Sequence, residues 1–196
     1  KTRNFDLSKY EWEEDPINLT SRNDIDAIVE LVGGSDGLAK ELAYAAIKNK
    51  KHFITANKAL IAKYGYDLTS IVANTDTAIY YEAAVAGAIP VINSIKEGLV
   101  SNNILKMQAI LNGTCNYILS DMTNNKTSLE ESLEKAKELG FAEADPTFDI
   151  EGIDSAHKLV ILGLLAYGAK PNLNKVYIEG ITSIIAEDIA YADRLG

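Results

Sequence analysis

The chain has little of what several function classes require. It carries a single cysteine, Cys115, so no internal disulfide can form, which points to a reducing compartment, the cytoplasm. There are only two histidines, His52 and His157, and His and Cys together offer no workable metal-ligand spacing. No apolar run reaches the roughly 18 residues of a membrane span; the longest, 159–167, is too short. The first ten residues are polar and show no signal-peptide pattern. Basic residues are outnumbered, 19 Lys and Arg against 28 Asp and Glu, which leaves a net charge of −9. That balance argues against nucleic acid and anionic membranes as partners. Internal repeats and low-complexity segments are absent. So is any Gly-x-Gly-x-x-Gly, the turn that a dinucleotide fold places after its first strand.

What remains is ordinary globular composition. Of the 196 residues, 47% are hydrophobic and 24% charged, enough for one or two domains with a sizeable core. Residues 1–24 are polar with little periodic signal. Residues 26–32 then read as a buried strand ended by Gly33-Gly34. Ser35 or Asp36 can cap a helix over 38–50. Residues 51–55 form a second strand, 59–72 a second helix weakened by Gly65, and 77–81 a third strand. This β-α-β-α-β order has the spacing of parallel crossover units and predicts half of a doubly wound sheet.

Ligands in such sheets bind at the carboxyl ends of the strands. Gly33 and Gly34 follow the first strand and let a phosphate or ribose approach the backbone closely, although a simple turn would use the same pair. Lys58 follows the second strand. As a cation in the first turn of a helix it opposes the helix dipole, which favours a ligand role over a solvated lysine. Glu82 follows the third, between two tyrosines and Ala83-Ala-Val-Ala86. A carboxylate in so apolar a setting calls for a cation, a metal ion or backbone donors. If this is a nucleotide domain, its glycine loop would precede Lys1. Arg3 would then lie where a 2′-phosphate could be read, or be an ordinary surface arginine.

After Pro90 the pattern changes to mixed helices and strands, so a second domain is expected to begin between Pro90 and Ser101. The expected division is 1–95 and 96–196. Residues 104–111 alternate as a strand. Thr114 is placed to cap a helix over 115–122. Ser128 and Glu131 form a capping-box pattern that opens a helix ended by Gly140. Residues 153–167 read as a helix, 176–179 as a strand and 186–195 as a short helix. Cys115 stands at a helix start, which would favour a thiolate. With no paired base it reads better as a small buried residue, and His157 likewise reads as structural.

The most chemically loaded stretch is Gly140 to Lys158. It gathers Glu143, Asp145, Asp149, Glu151 and Asp154, and then presents Lys158 one helical turn after Asp154. An acceptor-rich loop feeding a helix that carries an ammonium suits a small, charged, amine-bearing substrate. An acidic surface loop with one ion pair is the plainer alternative.

Several stretches then match one family in order. They are Thr55-Ala-Asn-Lys-Ala-Leu-Ile-Ala62, Tyr81-Glu-Ala-Ala-Val-Ala-Gly-Ala-Ile-Pro90, Ile110-Leu-Asn-Gly-Thr-Cys-Asn-Tyr-Ile-Leu119, Gly140 to Lys158, and Glu179-Gly-Ile-Thr182 with Glu187-Asp-Ile-Ala-Tyr-Ala192. Together they resemble homoserine dehydrogenase, in wording closest to the monofunctional bacterial type. The resemblance implies an α/β fold, with a partial Rossmann-like parallel sheet followed by an α+β substrate-binding and dimerisation domain. It implies hydride transfer between NADP or NAD and L-aspartate 4-semialdehyde, giving L-homoserine, in threonine and methionine biosynthesis. By the matching motifs, Lys158 is the proton donor and Asp154 orients the reaction centre. Glu143 and Asp149 bind substrate, and Lys58 lies between cofactor and substrate. Gly33, Gly34, Lys58 and Arg3 are the cofactor residues within this chain. Glu82, with the carbonyls of Val85, Gly87 and Ile89, resembles the family's structural sodium site.

Relative to the family pattern, the glycine-rich loop, the first strand and helix, and the segment after the last helix are missing. The chain is therefore expected to be the middle of a longer enzyme and inactive by itself. A homodimer or higher oligomer is implied, with 104–111 and 176–179 as candidate interface strands. Two other readings are a non-catalytic dimerisation or ligand-binding module of this family, and another two-domain NAD(P) oxidoreductase.

Overall fold

The computed structural model describes residues 6–195. The chain divides between Ala83 and Ala84 into two compact units. That seam lies a dozen residues before the division at 95 expected from the change of pattern after Pro90.

The first unit opens on a short helix, α1 (Pro16–Leu19), which the polar N-terminal composition did not signal. Asp15 caps it, accepting the Ile17 N–H at 3.0 Å, and Pro16 occupies the first helical position. Then come β1 (Ala27–Glu30), α2 (Leu38–Lys48), β2 (His52–Thr55), α3 (Lys58–Val72) and β3 (Ile79–Tyr80). The strands form one parallel sheet in the order β1-β2-β3, with Glu30 beside Thr55 and Phe53 beside Ile79. The parallel arrangement follows from the two helical crossovers. On α2 the residues Ala39, Leu42, Ala43, Ala46 and Ile47 are buried, an i, i+3, i+4, i+7, i+8 stripe. They form a core with Phe53, Leu60, Ile61, Leu68 and Ile79.

Two local expectations change. The first residue before α2 is Gly37, at φ +65°, and no side chain caps the helix. Asp36 is drawn instead to α3, where it accepts from Lys63 Nζ at 2.7 Å and Tyr64 Oη at 2.6 Å. β3 is two residues long rather than five, because only Ile79 and Tyr80 find ladder partners on β2.

Glu82–Ala84 is a single 3-10 turn at the seam. The second unit holds α4 (Val91–Asn93), which runs into a π-helical segment, Ser94–Gly98, and then α5 (Gly113–Asn125) and α6 (Leu129–Glu138). After these come α7 (Thr147–Ile150), α8 (Ile153–Tyr167), a 3-10 turn (Leu173–Lys175) and α9 (Ala186–Leu195). The capping box is present in full: Ser128 Oγ accepts the Glu131 N–H and Glu131 accepts the Ser128 N–H. Ile118 and Met122 of α5 pack with Ala136, Ala142 and Ile181. Asp121 locks α5 to α6, accepting from Asn125, Thr127, Ser132 and Lys135. These donors, led by Asn125 and Ser132, hold its carboxyl well below the usual range.

Residues 104–111 and 176–179 are irregular rather than strands; among the described residues neither joins a ladder. Alternation predicts which face a strand buries, but a strand exists only if another backbone pairs with it. Leu105 is 92% exposed, Ile110 79% and Tyr177 84%, while Ile104, Met107, Leu111 and Val176 are half-buried, so each segment leaves part of its apolar surface exposed. Among the described residues no helix is long and apolar enough to cross a membrane.

Candidate active site

The chemically loaded stretch folds into α7, a tight turn and α8. Gly152 makes the turn at φ +79°, and a Cβ there would sit 3.0 Å from the Glu179 carbonyl oxygen. Gly180 approaches from the other side: an added Cβ would press into the Ile150 carbonyl and lie 2.8 Å from Glu151 Cα. The Ile181 N–H donates to Ile150 O at 2.8 Å. Two glycines thus let residues 179–181 lie backbone to backbone against the end of α7 and the turn that leads into α8.

From that fixed start, α8 places Asp154 and Lys158 one turn apart on one face. Lys158 Nζ donates to Asp154 Oδ2 at 2.7 Å and to the Leu111 carbonyl at 2.8 Å. Asp154 is 1% exposed, and the Lys158 side chain retains 16%. The ammonium is therefore anchored at its base with a limited opening to solvent. Asn112 completes the arrangement. Its Nδ2 donates to Asp154 Oδ2 at 2.9 Å and to Asp149 Oδ1 at 2.7 Å, while its Oδ1 accepts the Cys115 N–H at 2.8 Å. One amide thus caps α5 and joins two carboxylates. Thr114, expected as the cap, is one residue inside α5. Its hydroxyl lies 2.7 Å from the Phe141 carbonyl and 3.1 Å from Asp149 Oδ2.

Of the five carboxylates in the stretch, Asp149 and Asp154 converge with Lys158. Glu143, Asp145 and Glu151 are exposed. Asp145 has a local duty, accepting the Thr147 hydroxyl at 2.6 Å and the Thr147 N–H at 3.1 Å, which lowers its pKa. A cavity of about 470 Å³ lies beside α8, lined by Met107, Leu111, Cys115, Asp149, Tyr177 and Glu179 among others; Asp154 and Lys158 do not line it. Cys115 Sγ donates to the Asp149 carbonyl at 3.2 Å. Burial, then Asp149 and Asp154, push the thiol up to about 11. The favourable field of the α5 N-terminus is outweighed, so Cys115 is not an activated nucleophile. His157 packs edge-on against Phe148, ring centroids 5.3 Å apart.

In the first unit, Gly33 (φ +85°) and Gly34 (φ +78°) follow β1, and nothing lies within 4 Å of where a Cβ would stand on either. This side-chain-free cradle at the carboxyl end of a parallel strand fits the approach of a nucleotide. Lys58 is the first residue of α3, half-buried, after Asn57, whose Oδ1 accepts the Leu60 N–H at 3.0 Å. Arg3 lies outside the described residues. Glu82 is half-buried in its 3-10 turn. In the second unit, Val85, Gly87 and Ile89 belong to an irregular turn with Ala88 at φ +64°. The Ile89 carbonyl already accepts the Val91 N–H at 2.8 Å. Carbonyl oxygens suit a hard cation. Among the described residues, no three His, Cys, Asp or Glu side chains group as metal ligands.

The family model described as homoserine dehydrogenase matches residues 90–196, and that described as homoserine dehydrogenase, NAD binding domain, matches residues 6–82. The chain belongs to the homoserine dehydrogenase family. The Neisseria gonorrhoeae homoserine dehydrogenase is 46% identical over 183 residues, covering 93% of this chain and 42% of its own length. The crystal structure of a homoserine dehydrogenase from Thiobacillus denitrificans superposes with a TM-score of 0.88 at 45% identity, again over 93% of this chain and 42% of that one. A hyperthermophilic archaeal homoserine dehydrogenase in complex with NADPH matches at a TM-score of 0.80 and 30% identity, over 91% of this chain and 55% of that one. The chain thus spans less than half the length of the curated relatives it matches.

Within this homoserine dehydrogenase chain, reasoning from sequence missed Asn112 and the Leu111 carbonyl, both of which hold the Asp154–Lys158 pair. The cap could have been found, since asparagine directly before Gly113 is a good N-cap. Its bridge to residues 37 and 42 positions later could not. Gly180 is a third omission: only the packed structure shows a backbone contact that leaves no room for a Cβ.

Proposed function

We propose that this chain forms part of an NAD(P)-dependent homoserine dehydrogenase that interconverts L-homoserine and L-aspartate 4-semialdehyde. The observation that carries the reading is the buried Asp154–Lys158 pair tied through Asn112 to Asp149. It provides a proton donor held at fixed geometry beside acceptors for a cationic substrate group. When bound, the nicotinamide supplies the hydride. Lys158 donates a proton to the carbonyl oxygen as negative charge builds there, and takes it back in the reverse direction. Asp154 and the Leu111 carbonyl hold the ammonium in place, so its third proton is directed away from both. Asp149 and Glu143 receive the substrate's amino group, Asp149 on the anchored side of the loop and Glu143 on the exposed side.

Gly33 and Gly34 receive the dinucleotide, NADP or NAD, with Lys58 and Arg3 assigned to it by resemblance. Lys58 is also assigned to the substrate on the same ground. A structural sodium ion on Glu82 and the carbonyls of Val85, Gly87 and Ile89 belongs to the same reading, and rests on resemblance together with carbonyl donor chemistry. The exposed apolar side chains of 104–111 and 176–179, Leu105, Ile110, Tyr177 and Ile178, suit the dimer interface of a homodimer or higher oligomer. The reaction serves threonine and methionine biosynthesis in the cytoplasm.

The test is steady-state oxidation of L-homoserine by the full-length gene product, followed through the reduced nicotinamide. Lys158→Ala and Asp154→Asn are each expected to lower kcat far more than they raise the KM for cofactor. Turnover of L-homoserine by Lys158→Ala at the unmodified rate would falsify the assignment.

A further inference from the structure

Glu30 is the last residue of β1 and is 1% exposed, although glutamate is among the residues most rarely buried. Its partners account for it. Oε1 accepts the N–H groups of Val32 at 2.7 Å and Gly33 at 3.0 Å. Oε2 accepts the Thr55 hydroxyl at 2.6 Å. Thr55 Oγ1 in turn accepts the Asn57 N–H at 2.9 Å, and Asn57 Nδ2 donates to the Gly34 carbonyl at 2.6 Å. The chain of contacts starts at the end of β1, crosses to the end of β2 and returns to the glycine turn. Both ends of the Gly33–Gly34 turn are therefore tied to one side chain, directly at Gly33 and through Thr55 and Asn57 at Gly34. All of these groups lie in the first unit.

We infer that Glu30 is a positioning residue for the dinucleotide: through Thr55 and Asn57 it presets the Gly33–Gly34 turn in its two left-handed conformations before the ligand arrives. The inference rests on the reading that this turn receives NAD(P). Two successive positive-φ glycines are entropically costly to hold, and a turn without side chains cannot hold itself by packing. The Glu30 ring supplies the missing restraint, so less ordering is left for the binding step. It also shapes what the turn can recognise. The Val32 and Gly33 amides already donate to Glu30, so these donors are not offered to a phosphate. The open side of the turn instead offers bare backbone to an uncharged part of the dinucleotide.

Glu30→Gln conserves size but cannot conserve the pattern. If its carbonyl takes the two backbone N–H groups, its NH2 faces Thr55 and the Thr55 proton loses its acceptor. Reversed, the NH2 opposes two N–H donors. In the full-length protein, NADPH titrated by fluorescence is expected to bind Glu30→Gln about tenfold more weakly, the size of one lost buried hydrogen bond to a charged group. The KM for L-homoserine is expected to stay unchanged. Thr55→Val, which removes only the hydroxyl, is expected to weaken NADPH binding severalfold, and Thr55→Ser to restore it. Unchanged NADPH affinity in Glu30→Gln, with only a lower melting temperature, overturns the inference and leaves Glu30 a structural residue. If Glu30→Gln does not fold, the Thr55 pair decides, and equal affinities for Val and Ser overturn it. Failure of the unsubstituted protein to bind NADPH or NAD removes the functional reading itself, and the inference with it.

Discussion

Each unit has one carboxylate that is 1% exposed, Glu30 in the first and Asp154 in the second. Their partners differ in kind. Glu30 is met by two backbone N–H groups and a hydroxyl, none of which carries a full charge. Asp154 is met by an ammonium and by an amide shared with a second carboxylate. Backbone donors cannot move without moving the chain, so the first arrangement fixes the shape of a turn. A lysine partner has a proton it can give away and a flexible stem, so the second arrangement is the one suited to the proton transfer proposed for Lys158. Equal burial is therefore compatible with the two roles proposed, and the donor's identity separates them.

The most severe way to test that contrast is to remove the proposed proton donor. Lys158→Ala in the full-length protein is expected to lower kcat by about 10²–10⁴-fold, the range for lost general acid–base catalysis. NADPH affinity, by titration, should be nearly unaffected, the converse of what Glu30→Gln is expected to do. A variant that loses both equally would erase the distinction between the two carboxylates. Next in size is the support beneath the pair. Asp154→Ala leaves a largely buried ammonium without its carboxylate, and is expected to cost about 3 kcal/mol in urea unfolding; a change under about 1 kcal/mol would mean the pair is solvated. Asn112→Ala removes a helix cap and is expected to cost about 1 kcal/mol. It should also lower kcat, a loss that a cap acting alone would not produce.

A smaller expected effect concerns pH. Cys115 is shifted from an ordinary value near 9 to about 11 by burial and by Asp149 and Asp154. Its folded state holds the proton more tightly than the unfolded state. The contribution is thus fully present below about pH 9 and is lost as pH rises through about 11. Slow alkylation by iodoacetamide at pH 8, accelerating only in strong alkali, is the expected result. Rapid alkylation at pH 8 would show a thiolate, and so a second reactive centre. The smallest effect is expected at Ser128→Ala, far from either carboxylate. Loss of its capping box should lower stability by about 1 kcal/mol with no change in NADPH affinity or kcat.

Much of this was legible in the chain because it is local. The stripe on α2, the capping box at Ser128 and the whole span of α8 follow from residues a few positions apart. Gly33-Gly34 at the end of a strand, and Asp154 one turn before Lys158, are also local patterns. What escaped was set by partners distant in sequence. Residues 104–111 and 176–179 read as strands but, among the described residues, join no ladder. Asp36 looked like a cap for α2 and instead bonds to α3. Thr114 was placed as a cap, but Asn112 holds that position and reaches to Asp149 and Asp154.

By itself, then, the sequence determined the β-α-β-α-β order of the first unit, the helices α5, α6, α8 and α9 of the second, and the candidate chemistry of the Gly140–Lys158 stretch. Periodicity, capping and spacing act within one or two turns of chain, and the side chains that express them are neighbours whatever the rest of the molecule does. Tertiary structure alone decided which carboxylates are buried and with whom. It set Glu143 on the surface and Asp154 in the interior, and it recruited Asn112, the Leu111 carbonyl and Gly180 to the site. The physical reason is that desolvation makes a buried charge depend on every donor that packing brings within about 3 Å, and those donors come from segments whose separation along the chain says nothing of their distance in space.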